Sequence, residues 1–263
     1  MLRQILLLLV CVVPALAGPK PVLVVVEQNP WLSVIGSDSP IFALYEDGTI
    51  IYRRTKASVD KPFSVRQVPS AHDEMKQLLS LEGVPNDAFY ELTTRTDQVS
   101  TGIWTPEKRA TIYGDWRRPR DRTVWKSIPD SLRRGLARIE RERGRDGAAW
   151  LPKDIEVMMW PYEYAPEESI VWPAEWPALS APTTVRRGSD QYSVYLPSQR
   201  LSDLRQFLST RREKGAVAIE GKKMAVSYRF PFPEEQSWMR KEEDGEPGAT
   251  DNPDDAQRLR EDH

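Results

Sequence analysis

Ile41-Phe42-Ala43-Leu44-Tyr45-Glu46-Asp47-Gly48-Thr49-Ile50-Ile51-Tyr52 is two apolar runs joined by an Asp-Gly pair. Asp and Gly tolerate the positive backbone angles of a tight hairpin turn, and the flanking runs are rich in strand-forming side chains. The stretch therefore predicts an antiparallel hairpin. Upstream, the β-branched run at residues 22–27 reads as a buried strand that Pro30-Trp31 ends. A second hairpin is expected near the other end. There, residues 216–219 and 224–228 flank a Glu220-Gly221-Lys222 turn.

Helices fall between the strands. Pro69-Ser70 opens one that places Met75, Leu78 and Leu79 on one face. Pro129-Asp130-Ser131 opens a clearer one, with Leu132, Leu136 and Ile139 in a stripe and arginines around it. A third spans residues 200–212, with Leu201, Leu204 and Leu208 on one face. Pro85-Asn86-Asp87 also predicts a short helix holding Phe89, Tyr90 and Leu92. Residues 109–113, 155–160 and 192–196 alternate or run as strands, and residues 161–182 show no period. Strict βαβ alternation is absent, so a doubly wound sheet is disfavoured. The expected fold class is α+β, a mixed or antiparallel sheet built from hairpins with about three packed helices.

One internal similarity suggests a finer division. Phe63-Ser64-Val65, Pro69-Ser70 and Gln77-Leu78-Leu79-Ser80 recur as Tyr192-Ser193-Val194, Pro197-Ser198 and Gln206-Phe207-Leu208-Ser209. Two related lobes, 18–150 and 151–233, would explain it. So would two strand-to-helix joints drawing on the same few residues.

The N-terminus reads as a secretory signal peptide. Arg3 precedes an apolar run from Ile5 to Val13, and Ala15-Leu16-Ala17 supplies the small-residue cleavage site. The run is about half of the ~20 residues a spanning helix needs. Cleavage after Ala17 would leave a mature chain starting at Gly18, secreted or periplasmic, without a transmembrane span. Leu8-Leu9-Val10 before Cys11 argues against lipidation, since a small residue is expected there. Cys11 is the only cysteine, so the mature chain has no thiol for a disulfide, a Cys nucleophile or a Cys-based metal site. The two histidines are His72, early in a predicted helix, and the terminal His263. A Ser-His-Asp triad would have to use His72 as its base. No phosphate-loop or dinucleotide fingerprint occurs among the 14 glycines. No metal and no cofactor are expected.

Charge is distributed unevenly. Residues 234–263 carry eleven acidic and four basic residues, a net of −7, with few apolar side chains. That composition predicts a disordered acidic tail. Residues 18–233 hold 28 acidic and 32 basic residues, a net of +4.

Two stretches stand out as candidate binding sites. The first is aromatic and proline-rich: Trp160, Tyr162, Tyr164, Trp172 and Trp176, interleaved with Glu163, Glu167, Glu168 and Glu175. Flat rings of this kind stack on sugars or proline-rich peptides. They also pin a long segment onto a body, and the sequence leaves both readings open. The second runs from Arg117 to Arg145 with eleven basic and four acidic residues, including Arg133, Arg134, Arg138 and Arg141, beside Trp116 and Trp125. After a signal peptide, polysaccharide, an acidic surface or an envelope protein is the expected partner, and nucleic acid is disfavoured. The alternative is a solvated arginine-rich helix face. By elimination the expected function is an exported, non-enzymatic binding or interaction protein. A carboxylate-dependent glycan hydrolase drawing on Glu156, Glu163, Glu167, Glu168 and Glu175 is the alternative, with a structural envelope protein as the second.

Overall fold

The computed structural model describes residues 18–58, 61–79, 81–117 and 128–239. The expected signal peptide (1–17) and tail residues 240–263 lie outside them. So do Arg118, Arg120, Arg122, Trp125 and Lys126 of the basic stretch.

The predicted first hairpin forms as β2 (Pro40–Tyr45) and β3 (Thr49–Ser58), paired Phe42 to Tyr52 and Leu44 to Ile50. Gly48 sits at φ +84° with the Val68 carbonyl oxygen 2.2 Å from where a Cβ would stand, so no side chain fits the turn. β1 (Pro21–Gln28) pairs antiparallel with β2, and β4 (Lys61–Gln67) with β3. Strands β5 (Ala88–Glu91), β6 (Ser100–Trp104), β7 (Arg109–Tyr113) and β8 (Ala148–Trp150) complete an eight-stranded sheet ordered β5-β7-β6-β1-β2-β3-β4-β8. The second sheet has six strands. They are β9 (Asp154–Pro161), β10 (Glu167–Val171), β11 (Val185–Gly188), β12 (Gln191–Pro197), β13 (Gly215–Ile219) and β14 (Lys222–Arg229). Their order is β10-β13-β14-β9-β12-β11. Both sheets are mixed, because β5 runs parallel to β7 and β10 parallel to β13. With helices α1 (Ala71–Leu78), α2 (Asp130–Arg143) and α3 (Leu201–Ser209), the fold is α+β.

Two expectations are corrected. Residues 88–91 form strand β5 and not a helix. Phe89 and Tyr90 favour a pleated surface, and exposure alternates along the four residues as it does on a sheet. The aperiodic stretch at 161–182 contains strand β10, whose pairing to β13 carries an irregular register.

Two cores flank the first sheet. Strand alternation sends Leu23, Val25, Phe42 and Leu44 to one face, where they meet Leu78 and Leu79 at the end of α1 and Leu132, Leu136 and Ile139 of α2. The α1–α2 contact is tight at Gly135, where a Cβ would stand 2.2 Å from Leu79 Cδ1. Val24, Ala43, Tyr45, Ile51 and Phe63 face the other way, into a core shared with Ile155, Val157 and Met159 of the second sheet and Leu201 and Leu204 of α3.

The segment leaving β14 joins the halves. Phe63 packs edge-on against Phe230 and Phe232, with ring centroids 5.2 and 5.3 Å apart. Tyr45 Oη donates to the Pro233 carbonyl at 3.2 Å. Residues 234–239, assigned to the tail by composition, include a 3₁₀ turn and bury Trp238 near Trp104. The body therefore extends past Pro233, with Trp238 packed onto it.

The recurring serine joints do different work. Ser70 Oγ caps α1 by accepting from Asp73 N at 3.2 Å, whereas Ser198 Oγ donates back to the Pro152 carbonyl. No helix among the described residues is long and apolar enough to cross a membrane.

Candidate functional site

The aromatic, proline-rich stretch does not form one platform. Trp172 and Trp176 are each only 6 % exposed. They pack edge-on at 4.9 Å, and both meet Phe207 of α3, at 5.7 and 5.4 Å. Trp172 Nε1 donates to the Pro177 carbonyl, so even its polar edge is satisfied internally. Trp160 and Tyr162 are half-buried, while Tyr164 is 94 % exposed. Among the carboxylates of the stretch, Glu163, Glu168 and Glu175 face solvent and Glu167 accepts from the Lys214 backbone N–H at 2.6 Å.

A buried ionic network occupies the second sheet. Register places Glu156 of β9 opposite Arg229 of β14 on one side and Tyr195 of β12 on the other. Arg229 Nη2 lies 2.5 Å from Glu156 Oε2 and 2.6 Å from Glu235 Oε1. Arg187 Nη2 reaches Glu156 Oε1 at 3.0 Å, and Ser193 Oγ donates to the same oxygen. Burial pushes the Glu156 carboxyl up. Arg229, Ser193 and Arg187 outweigh it and hold the group below its ordinary value. Through Glu235 the network ties the segment after β14 to the sheet.

The basic stretch is sorted by pairing. Arg117 bridges Glu27 and Glu140, with its guanidinium 4.4 Å from the ring of buried Trp116. Arg133 pairs with Asp130. Arg143 is buried, donating to the Arg53 carbonyl and pairing with Glu140 at 2.7 Å. Arg134, Arg138 and Arg141 are exposed and have no ion pair or hydrogen bond among the described residues.

One concavity was not anticipated from sequence. It is a groove of about 510 Å³ on the face of the first sheet that the second half leaves open. Its floor is a straight row across four strands: Phe89 beside Thr111, Thr111 beside Gly102, Gly102 beside Val26. Trp104 extends the floor, Asp38 forms part of one wall, and Trp238 and Met239 form part of another. Phe89 is 62 % exposed and stacks at 6.4 Å on Tyr113. Ile35, 66 % exposed, precedes Gly36 at the groove margin. Burial raises the Asp38 carboxyl above its ordinary value, against its hydrogen bond from Asn29 N–H and the nearby Arg53. The volume falls in the range of ligand clefts, and the apolar floor is edged by polar and charged side chains, among them Gln28, Asp38, Asp87 and Arg109.

No protein-family model matches the chain, and neither a curated protein nor a solved structure shows significant similarity to it.

Proposed function

We propose that the protein is exported, by the signal-like residues 1–17, and acts by binding, holding an extended apolar segment of an envelope protein in the groove. The observation that carries this is the row Phe89–Thr111–Gly102–Val26, which ends at an edge strand. β5 is the terminal strand of its sheet, and its outer backbone edge pairs with no other described strand. A segment added there would gain main-chain hydrogen bonds, and its alternate side chains would lie beside Phe89 on the groove face. Exposed apolar side chains at one concavity, Phe89 and Met239, support an interaction surface.

The test fills the groove without disturbing the fold. A Cβ at Gly102 would have only the Val26 carbonyl oxygen nearby, at 3.9 Å. Gly102→Phe therefore points its ring into the groove. Mature wild-type and Gly102→Phe chains serve as baits in a cross-linked pull-down from the host's envelope fraction. A stoichiometric partner held by the wild type and lost by an equally stable Gly102→Phe supports the reading. A partner held equally by both, or by neither, refutes it.

The alternative, carboxylate-dependent glycan hydrolysis, is favoured by one observation. Asp38, with its raised carboxyl, lies in the groove, whereas Glu163 and Glu175 do not line it. Glycan turnover abolished by Asp38→Asn would support this reading; no turnover by the wild type ends it.

A further inference from the structure

A second concavity, about 330 Å³, lies between α1 and α2 and is lined by Glu74, Leu78, Arg138, Arg141, Glu142 and Arg145. Its carboxylates are already engaged. Glu142 accepts from Arg66 and, at 3.2 Å, from Arg145, while Glu74 accepts from the same Arg66 at 3.2 Å. With Arg66, four guanidiniums face two carboxylates, so the pocket carries a net positive charge. Arg138 and Arg141 provide it, as neither has a partner among the described residues.

Arg134 continues the same surface. Positions 134, 138 and 141 are spaced four and three apart, which puts them on one face of α2, and Arg145 lies just past its C-terminus. At 1.5 Å per residue the helical part of the stripe, from Arg134 to Arg141, is roughly 10 Å long. All four side chains are exposed. Guanidiniums present a planar fork that matches carboxylate and sulfate oxygens two at a time.

We infer that this stripe and its pocket bind a linear acidic polysaccharide, with successive carboxylates or sulfates meeting Arg134, Arg138 and Arg141 and one group seated in the pocket. Two observations select that ligand over other polyanions. A helix that lies on an anionic membrane inserts large apolar side chains beside its cations, and no large exposed apolar residue belongs to α2. Single-stranded nucleic acid needs exposed rings on which to stack, and Trp116, the described ring nearest this stretch in sequence, is buried. The site lies on the helix-covered face of the first sheet, so it does not depend on the groove.

The test uses the full mature chain and fluorescein-labelled polyuronate, read by anisotropy over a salt series starting near about 50 mM. Arg134→Gln, Arg138→Gln and Arg141→Gln together are expected to weaken binding at least about tenfold and to flatten its salt dependence. A control triple of exposed cations elsewhere, Lys153→Gln, Arg186→Gln and Arg212→Gln, is expected to change affinity less than about twofold, since it removes the same net charge without touching the stripe. An equal loss in the control, no polyuronate binding by the wild type, or tighter binding to oligo-dT or anionic phospholipid vesicles than to polyuronate would each overturn the inference.

Discussion

Replacing Arg229 by Met removes the cation that neutralises two carboxylates at once, buried Glu156 and half-buried Glu235. In the wild type, Arg229 is 4 % exposed, and its two terminal nitrogens serve Glu156 and both oxygens of Glu235. After Arg229→Met, Glu156 keeps Arg187 at 3.0 Å and the Ser193 hydroxyl. Among the described residues, Glu235 keeps only the Phe232 N–H, at 3.3 Å. Removing one partner of a buried pair costs about 3–5 kcal/mol, most of it the uncompensated charge left behind. Arg187 still answers Glu156, so the lower end, about 3 kcal/mol, is expected. At about 2–4 °C per kcal/mol for a body of this size, the melting temperature should fall by about 6–12 °C. The triple variant Arg229→Met, Glu156→Gln, Glu235→Gln removes the stranded charges and should recover most of that loss. Circular-dichroism melts at neutral pH, with urea titrations to give free energies, provide the comparison. A fall of less than about 3 °C for the single variant, or no recovery in the triple, would show that the network does not hold the segment after β14 in place.

Two other outcomes follow from the same geometry. Glu156 is held below its ordinary value in the folded chain, so its stabilisation is complete above the ordinary carboxylate range and is lost as pH falls through the folded value; Asp38 is raised, so its ionisation opposes folding as pH rises. Urea midpoints measured across pH should thus fall more shallowly in acid for Glu156→Gln than for the wild type, and Asp38→Asn should be the more stable chain at neutral pH, the reverse signs contradicting both placements. Trp172→Ala should cost about 3–5 kcal/mol as a large core deletion, while Tyr164→Ala should stay within about 0.5 kcal/mol, and similar urea midpoints for the two would sink the assignment of Trp172 to the core.

Where local chemistry decides the backbone, the sequence was legible. Gly48 dictates the turn of the first hairpin because few other residues accept its φ of +84°, and Leu132, Leu136 and Ile139 dictate α2 because only a helix brings them to one face. Residues 85–92 were misread because Pro-Asn-Asp opens a helix and a turn equally well. The choice fell to Phe89 and Tyr90 pairing with β7, some twenty residues away. Strand β10 was invisible because its partner, β13, lies beyond two strands and a helix. Trp172 and Trp176 show the limit of composition. A pair of tryptophans between prolines reads the same on a surface as in a core, and only Phe207, from another element, separates the two cases.

The two candidate sites were legible to different degrees for the same physical reason. The groove floor takes one residue from each of four strands, so no window of sequence contains it; the only local sign is Gly102, a residue that weakens a strand interior unless something needs the space above it. The arginine stretch was conspicuous as composition, yet its count of charge overstated the site. Asp130, Glu140 and Glu142 engage Arg133, Arg143 and Arg145 at helical spacing, which sequence can show. Glu27 engages Arg117, and Arg66 competes for Glu142, only because β1 and β4 lie in the sheet that α2 covers. What separates Arg134, Arg138 and Arg141 from the other arginines is therefore not their chemistry but that no carboxylate of the described residues pairs with them, Glu74 and Glu142 beside the pocket being taken by Arg66 and Arg145, and a charge without an internal partner is one that an external anion meets at full strength.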